Sequence, residues 1–268
     1  MVILHVKKGD QSQFLYETKV SESIELVTQE ITFIYNGRLK VSRICSEMEE
    51  LAKHGTLYPP EILGLLEEQV EEMNLTDEWG ERCEPCDGWT LNKDPVGRRN
   101  GKQPSEQMQQ VLKNTVEEAK AMVSKKNVET NRCLTMKIVQ EAIDLLRGAC
   151  TIVYPMGLPP HDSIRQEFEN REDLDGMQAS LDVIGVALAR LWFSGRELDR
   201  DKILSDYVGS NDKTKLIVRL SKLGNGAPAR EPVISEDERK QMMLHAYRRQ
   251  EEMKVRQCHE FLLLTNFL

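Results

Sequence analysis

Val2, Leu4 and Val6 alternate with Ile3, His5 and Lys7, and Gly9-Asp10 then turns the chain. Alternation with period two marks a strand with one buried face. Phe14–Val20 supplies a second such run, so the opening segment predicts a β-hairpin. Ser23 stands just before Ile24, Val27, Ile31 and Ile34, which recur at helical spacing; its hydroxyl suits an N-cap. Asn36-Gly37 interrupts that pattern and predicts a break. A second helix is then expected, with Val41, Ile44, Cys45, Met48, Leu51 and Ala52 on one face, stopping at Gly55.

Pro59-Pro60 predicts a helix start running through Met73. Asp77–Gln103, rich in Gly, Pro, Asp and Asn, reads as a long loop with a weak edge strand at Gly88–Asn92. Ser105 caps a helix with Met108, Leu112, Val116 and Ala119 inward. Thr135 caps another, with Val139, Ala142, Ile143 and Leu146 inward, ending at Gly148. The β-branched run Thr151, Ile152, Val153, with Tyr154, then predicts a short buried strand that Pro155 ends. Beyond it, Asp162 or Ser163 begins a helix through Asn170. Met177, Leu181, Ile184, Leu188 and Leu191 recur in steps of four and three and predict a packing helix ending at Trp192. Leu204, Tyr207 and Val208 predict a short helix. Leu216, Ile217, Leu220 and Leu223, opposite Lys213, Lys215, Arg219 and Lys222, predict another.

A hairpin followed by a helix is how a β-grasp, ubiquitin-like, domain begins. That fold needs a later strand parallel to the first, and parallel pairing requires a crossover. Thr151–Tyr154 is the expected strand, beside Met1–Val6; the alternative is local pairing with no grasp. The expected fold is therefore α+β and predominantly helical: a small β-grasp sheet interrupted by a helical insertion, then a helical region. The divisions are 1–156 for the grasp with its insertion and 157–223 for the helical region. A linker follows at 224–234, then a C-terminal helix and apolar tail at 235–268. Ser235 and Glu238 make a capping box for that helix, which is expected to run to about Arg256.

The 268 residues carry a net charge of −8, with 30% charged and 6% aromatic residues. That balance speaks against general nucleic-acid binding, which needs a basic face. Acidic residues crowd between Glu47 and Glu84, twelve against Lys53 and Arg82 alone. Such a run is a solvated face or a dock for a basic partner. No signal peptide or membrane span is expected; the apolar stretch Met177–Phe193 contains Asp182 and Arg190.

The motifs carry little chemistry. Cys83 and Cys86 form a CxxC in a polar loop, without the second ligand pair that structural zinc needs. The six cysteines are expected to be reduced, in a cytosolic chain. The five histidines lie in unrelated contexts and no GxSxG is present. Gly97–Lys102, GRRNGK, and the GNGAPAR stretch are weak phosphate-loop hints that read better as flexible loops. The residue reading is thus an interaction protein with no catalytic, cofactor or metal site. Two partner-binding surfaces are expected. One is the turn formed by Tyr154, Met156, Leu158, Pro159 and Pro160, for which packing of two halves is the competing reading. The other is the helix face with Met242, Met243 and Tyr247.

Longer strings carry a resemblance. YNGRLKVSRICSEMEELAKHG (Tyr35–Gly55), DEWGERC (Asp77–Cys83), TIVYPMGLPPHDSIRQEFENREDL (Thr151–Leu174), LSDYVGSNDKTK (Leu204–Lys215) and GAPAREPVIS (Gly226–Ser235) resemble the Kurly family of cilia- and flagella-associated proteins. The resemblance runs from Met1 to about Lys254. It implies a non-enzymatic role in motile cilia: cytoplasmic assembly of outer dynein arms, presence at the cilium base or basal body, and cilium positioning in planar polarity. It also implies protein partners among dynein assembly factors, including a MYND-type zinc-finger protein. A structural axonemal component and a thiol-dependent enzyme are the rival functions. The ending VRQCHEFLLLTNFL departs from the family pattern and reads as a divergent or truncated C terminus.

Overall fold

A computed structural model describes residues 1–65, 67–211, 213–226, 239–251 and 253. Met1–Pro228 form one compact unit and Ala229–Leu268 a second. In the first unit, strands β1 (Val2–Lys8) and β2 (Gln11–Thr18) lead into helix α1 (Ile24–His54). Short helices α2 (Glu67–Glu72) and α3 (Glu78–Arg82) follow, then a small ribbon of β3 (Trp89–Leu91) and β4 (Lys102–Pro104). Helices α4 (Glu106–Met122) and α5 (Met136–Val153) come next, then α6 (Ser163–Phe168) and α7 (Gln178–Asp182). The chain then gives β5 (Ala189–Phe193), β6 (Arg196–Glu197), helix α8 (Ser205–Val208) and β7 (Lys215–Lys222).

The main sheet has five strands in the order β2-β1-β7-β5-β6. β1 pairs antiparallel with β2 and parallel with β7, Leu4 lying opposite Leu216. β7 pairs antiparallel with β5, Leu191 opposite Leu220. Val2, Leu4, Val6, Leu191, Val218 and Leu220 turn inward and are buried in one core with Ile24, Val27, Ile31 and Ile34 of α1. This is the β-grasp arrangement, with a helical insertion between α1 and β5. The free edge of β2 is met by Cys133-Leu134: Leu134 N–H donates to the Leu15 carbonyl at 2.7 Å. A covered edge removes a site for pairing with another chain.

The parallel partner of β1 is therefore β7, and the expected strand at Thr151–Tyr154 is not one. Thr151, Ile152 and Val153 are the last turn of α5. The helix is set upstream by Val139, Ala142, Ile143, Leu146, Ala149 and Cys150 on one buried face, which Val153 continues. Thr151 satisfies its hydroxyl by donating to the Arg147 carbonyl at 3.0 Å, a bond available only within a helix. Pro155 ends the helix, because a residue before proline avoids the helical region. Lys215–Lys222, expected as helix, alternates instead: Leu216, Val218 and Leu220 face inward and Ile217 outward. The seam from Met177 to Leu191 also dissolves. Met177, Leu181 and Leu188 are exposed, Ile184 and Leu191 are buried, and the stretch divides into α7, a 3₁₀ turn at Val186–Leu188 and β5. Pro59 opens a turn rather than a long helix, and β3 pairs with β4 apart from the main sheet.

Asn36-Gly37 does not break α1, which runs unbroken for 31 residues. At 1.5 Å per residue it spans about 46 Å. Asn36 uses its side chain to clasp Ile184, donating to its carbonyl at 2.7 Å and accepting from its N–H at 3.1 Å. Gly37 lies against α5, where an added Cβ would stand 2.7 Å from Val139 Cγ1. The glycine is needed for close helix approach, which outweighs its helix penalty of about 0.5–1 kcal/mol. Beyond it, Val41, Ile44, Met48 and Leu51 share the core with Leu112 and Val116 of α4 and Leu146 of α5.

Gly37→Ala is expected to destabilise the fold by about 1–3 kcal/mol through overpacking. Urea denaturation measures this, and combining it with Val139→Ala should recover part of the loss by opening the space the new methyl needs.

Candidate interaction site

The turn after α5 is set by Pro155 and Gly157. The Tyr154 N–H closes the helix on the Cys150 carbonyl at 2.8 Å, and Gly157 N–H donates to the Tyr154 carbonyl at 2.9 Å. This reversal carries Leu158 and Pro159 back into the protein. Tyr154, Leu158 and Pro159 are buried, while Met156, at 77% exposure, and Pro160 face solvent. Of the five turn residues expected at a binding surface, only those last two are exposed. The Tyr154 hydroxyl is enclosed without a hydrogen-bond partner. Burial, reinforced by the negative charge of Asp162, pushes its phenol far above its ordinary range.

Asp162 is the centre of what holds this turn. It is fully buried; its carboxylate accepts from Ile164 N–H at 3.0 Å, capping α6, and from Leu57 N–H at 3.3 Å. His161 donates through Nε2 to the Leu57 carbonyl at 2.9 Å. Burial pushes the Asp162 carboxyl up; the charge of Arg99 and the two backbone donors oppose that rise. Arg99, 4% exposed, donates to the Gly55 carbonyl at 2.7 Å and to Glu47 Oε2 at 2.5 Å. The loop GRRNGK is thus a structural clasp. Its Asn100 and Gly101 N–H groups donate to the Thr56 and His54 carbonyls, which leaves neither free for a phosphate. Gly55 has φ of 75°, and a Cβ there would meet Asn100 Oδ1 and the Lys102 carbonyl at 2.5 Å. The one advance signal of this clasp is Asp94-Pro95, where the Asp94 carboxylate gathers the N–H groups of Val96, Arg98 and Arg99.

The CxxC has a packing role too. Cys83 is 3% exposed, and burial raises its thiol pKa, which disfavours the reactive thiolate. Cys86 donates its N–H to the Val153 carbonyl at 2.9 Å and its thiol to the Ile152 carbonyl at 3.2 Å. Cys86 fastens the loop to the end of α5. Among the described residues no group of three or more His, Cys, Asp or Glu is placed to hold a metal ion. None of their helices is long and apolar enough to cross a membrane.

In the second unit, residues 239–251 are helical, and the expected start of that helix at Ser235 lies outside the described residues, as does the apolar tail. Met242, Met243 and Tyr247 are exposed at 56%, 65% and 64%, with Leu244 and Met253 also exposed. At 100° per residue, Met242, Met243, Ala246, Tyr247 and Met253 fall on one side, giving an apolar stripe.

The family model for cilia- and flagella-associated protein 298 matches residues 189–260. The chain is 60% identical over 238 residues to the protein of that name from Mus musculus, covering 89% of this chain and 82% of the relative. It is 55% identical over 254 residues to the Drosophila melanogaster protein, covering 95% and 87%. The chain belongs to the cilia- and flagella-associated protein 298 family. It is also 52% identical over 266 residues to cilia- and flagella-associated protein 298-B of Xenopus laevis, covering 99% and 91%. No solved structure matches. The matched span of the family model takes in β5, β6, β7 and the helix of residues 239–251. A cilium-related role follows from membership in this family.

Arg99→Met is expected to cost about 3 kcal/mol, the low end for breaking a buried charged pair, because Glu47 keeps 28% exposure. Arg99→Lys should recover little, since an ammonium lacks the two-armed donor geometry. Chemical denaturation of both variants tests this. Asp162 gives a pH signature. Its folded pKa lies above the unfolded value, so its contribution to stability is full below about pH 3.8 and is lost as pH rises through the folded pKa. The stability of the native chain relative to Asp162→Asn should therefore fall as pH rises above about 4, followed by urea titration at each pH.

Proposed function

We propose that this chain is a non-enzymatic adaptor in the cytoplasmic assembly of outer dynein arms for motile cilia. In this reading it works in the cytoplasm and at the cilium base, and it contributes to cilium movement and planar positioning. Its contacts are with other assembly factors, a MYND-type zinc-finger protein among them. The observation that carries the reading is the exposed stripe of Met242, Met243 and Tyr247 on the helix of residues 239–251, within the span matched by the family model. An amphipathic helix with exposed methionines and an aromatic is a recurrent way for one chain to dock on another. Family membership supports the cilium link, and the buried state of Cys83 weighs against the thiol-enzyme rival. The Met156–Pro160 side of the turn is a second, smaller contact in this proposal.

The test replaces the endogenous protein in ciliated cells with the full chain or with Met242→Asp, Met243→Asp, Tyr247→Asp. The native chain should co-purify with dynein arm subunits from cytosol, and the triple variant should lose that co-purification together with the outer arms on axonemes. Because these side chains are exposed, the variant should keep its urea midpoint. Retention of the native chain in salt-washed axonemes, without a cytosolic dynein-bound pool, would replace the adaptor reading with that of a structural axonemal component.

A further inference from the structure

The loops between α1 and α4 form a groove that the function above does not use. It has a volume of about 780 Å³ and is lined on its apolar side by Ile62, Leu65, Val70, Leu75 and Leu91. That volume lies within the ~300–1,000 Å³ typical of binding clefts. Glu68, Glu71, Asp77 and Asp94 stand around it, against Lys93 and Arg99. The guanidinium of Arg99 is spent internally on Glu47 and Gly55 and leaves the mouth acidic. The surroundings deepen the imbalance: from Glu61 to Glu81 the chain has eight carboxylates and no Lys or Arg. The same loops leave large apolar side chains in water, Leu91 at 66%, Val96 at 76%, Met73 at 52% and Leu63 at 47%. Of these, Leu91 lines the groove itself.

We infer that this groove docks a short amphipathic, cationic segment of a protein partner, with Lys or Arg alternating with Leu, Met or Phe. Charge complementarity selects the occupant. The acidic rim repels phosphate-bearing polymers and anionic lipid surfaces, and attracts a basic peptide whose apolar side chains cover Leu91 and Val70. The groove floor is fixed by the Arg99 clasp and by Asp94, which holds the N–H groups of Val96, Arg98 and Arg99, so one wall is preorganised before a partner arrives.

A random-peptide library displayed on phage, selected against the full chain, tests the inference, with fluorescence anisotropy of the enriched peptides as the quantitative readout. Enriched peptides should carry excess Lys and Arg interspersed with large apolar residues. Their binding should weaken about tenfold in Glu68→Lys/Glu71→Lys and again between about 50 mM and about 300 mM salt. It should also weaken severalfold in Leu91→Ser, which separates groove docking from diffuse attraction to an acidic protein. All three positions are exposed, so native circular dichroism and urea midpoints are expected in both variants. Peptides without a cationic excess, no enrichment at all, or binding unchanged in both variants would overturn the inference. So would a concentration-dependent dimer in sedimentation velocity that the charge reversal abolishes, which would give the groove to a second copy. The inference does not rest on the dynein-arm reading, whose own test follows the helix of residues 239–251.

Discussion

Helix α1 is the constraint on which the first unit depends. A five-stranded sheet with one apolar face must be covered, and a single helix packed across it is the β-grasp solution. Here that helix continues well past the sheet, and its second half is the surface on which α4 and α5 pack. The continuity has to survive Asn36-Gly37, two poor helix formers side by side. Both are retained in the helix by tertiary contacts: the Asn36 side chain closes on Ile184, and Gly37 gives Val139 room to approach. Further along, Arg43 grips Glu167 through two nitrogens while Lys40 reaches Glu172, tying α6 to the same rod. Sheet and insertion are thereby one mechanical piece.

What was legible in the sequence follows from the range of the interactions involved. The hairpin, the caps at Ser23, Ser105 and Thr135, the stop at Gly55 and the β-grasp start depend on neighbours within a few residues, and all appear as read. Period alone failed where two periods fitted. Lys215–Lys222 offers apolar residues at helical spacing, yet Ile217-Val218 and the alternation Leu216, Val218, Leu220 suit a strand buried between two others. Thr151-Ile152-Val153 failed the other way, because the helix upstream was strong enough to carry a β-branched turn to its end. The missing information in both cases was which strand would pair with β1, a contact across more than two hundred residues.

The candidate site shows the same limit. The turn from Tyr154 to Pro160 holds an aromatic, a methionine and prolines, which read alike whether a turn greets a partner or seals a core. Burial sorts them, and most of the turn goes inward around Asp162. Arg99 was hidden in a basic glycine loop that suggests an anion site, and its partners Glu47 and Gly55 lie some fifty residues away. The helix of residues 239–251 exposes Met242, Met243 and Tyr247, a stripe that follows from local periodicity alone.

The place of β7 has a consequence for how the chain is made. β7 lies between β1 and β5, so the middle of the sheet is among the last pieces to be synthesised. About 200 residues separate β1 from the strand that completes it, and at roughly 5–20 residues per second that is roughly 10–40 s of translation. Throughout that interval the β1 side of the nascent hairpin has an open hydrogen-bonding edge, although α1, made directly after the hairpin, can already cover Val2, Leu4 and Val6. A ribosome-bound chain in this state is a natural client for chaperones, and its yield depends on how well that edge is shielded until the two ends meet.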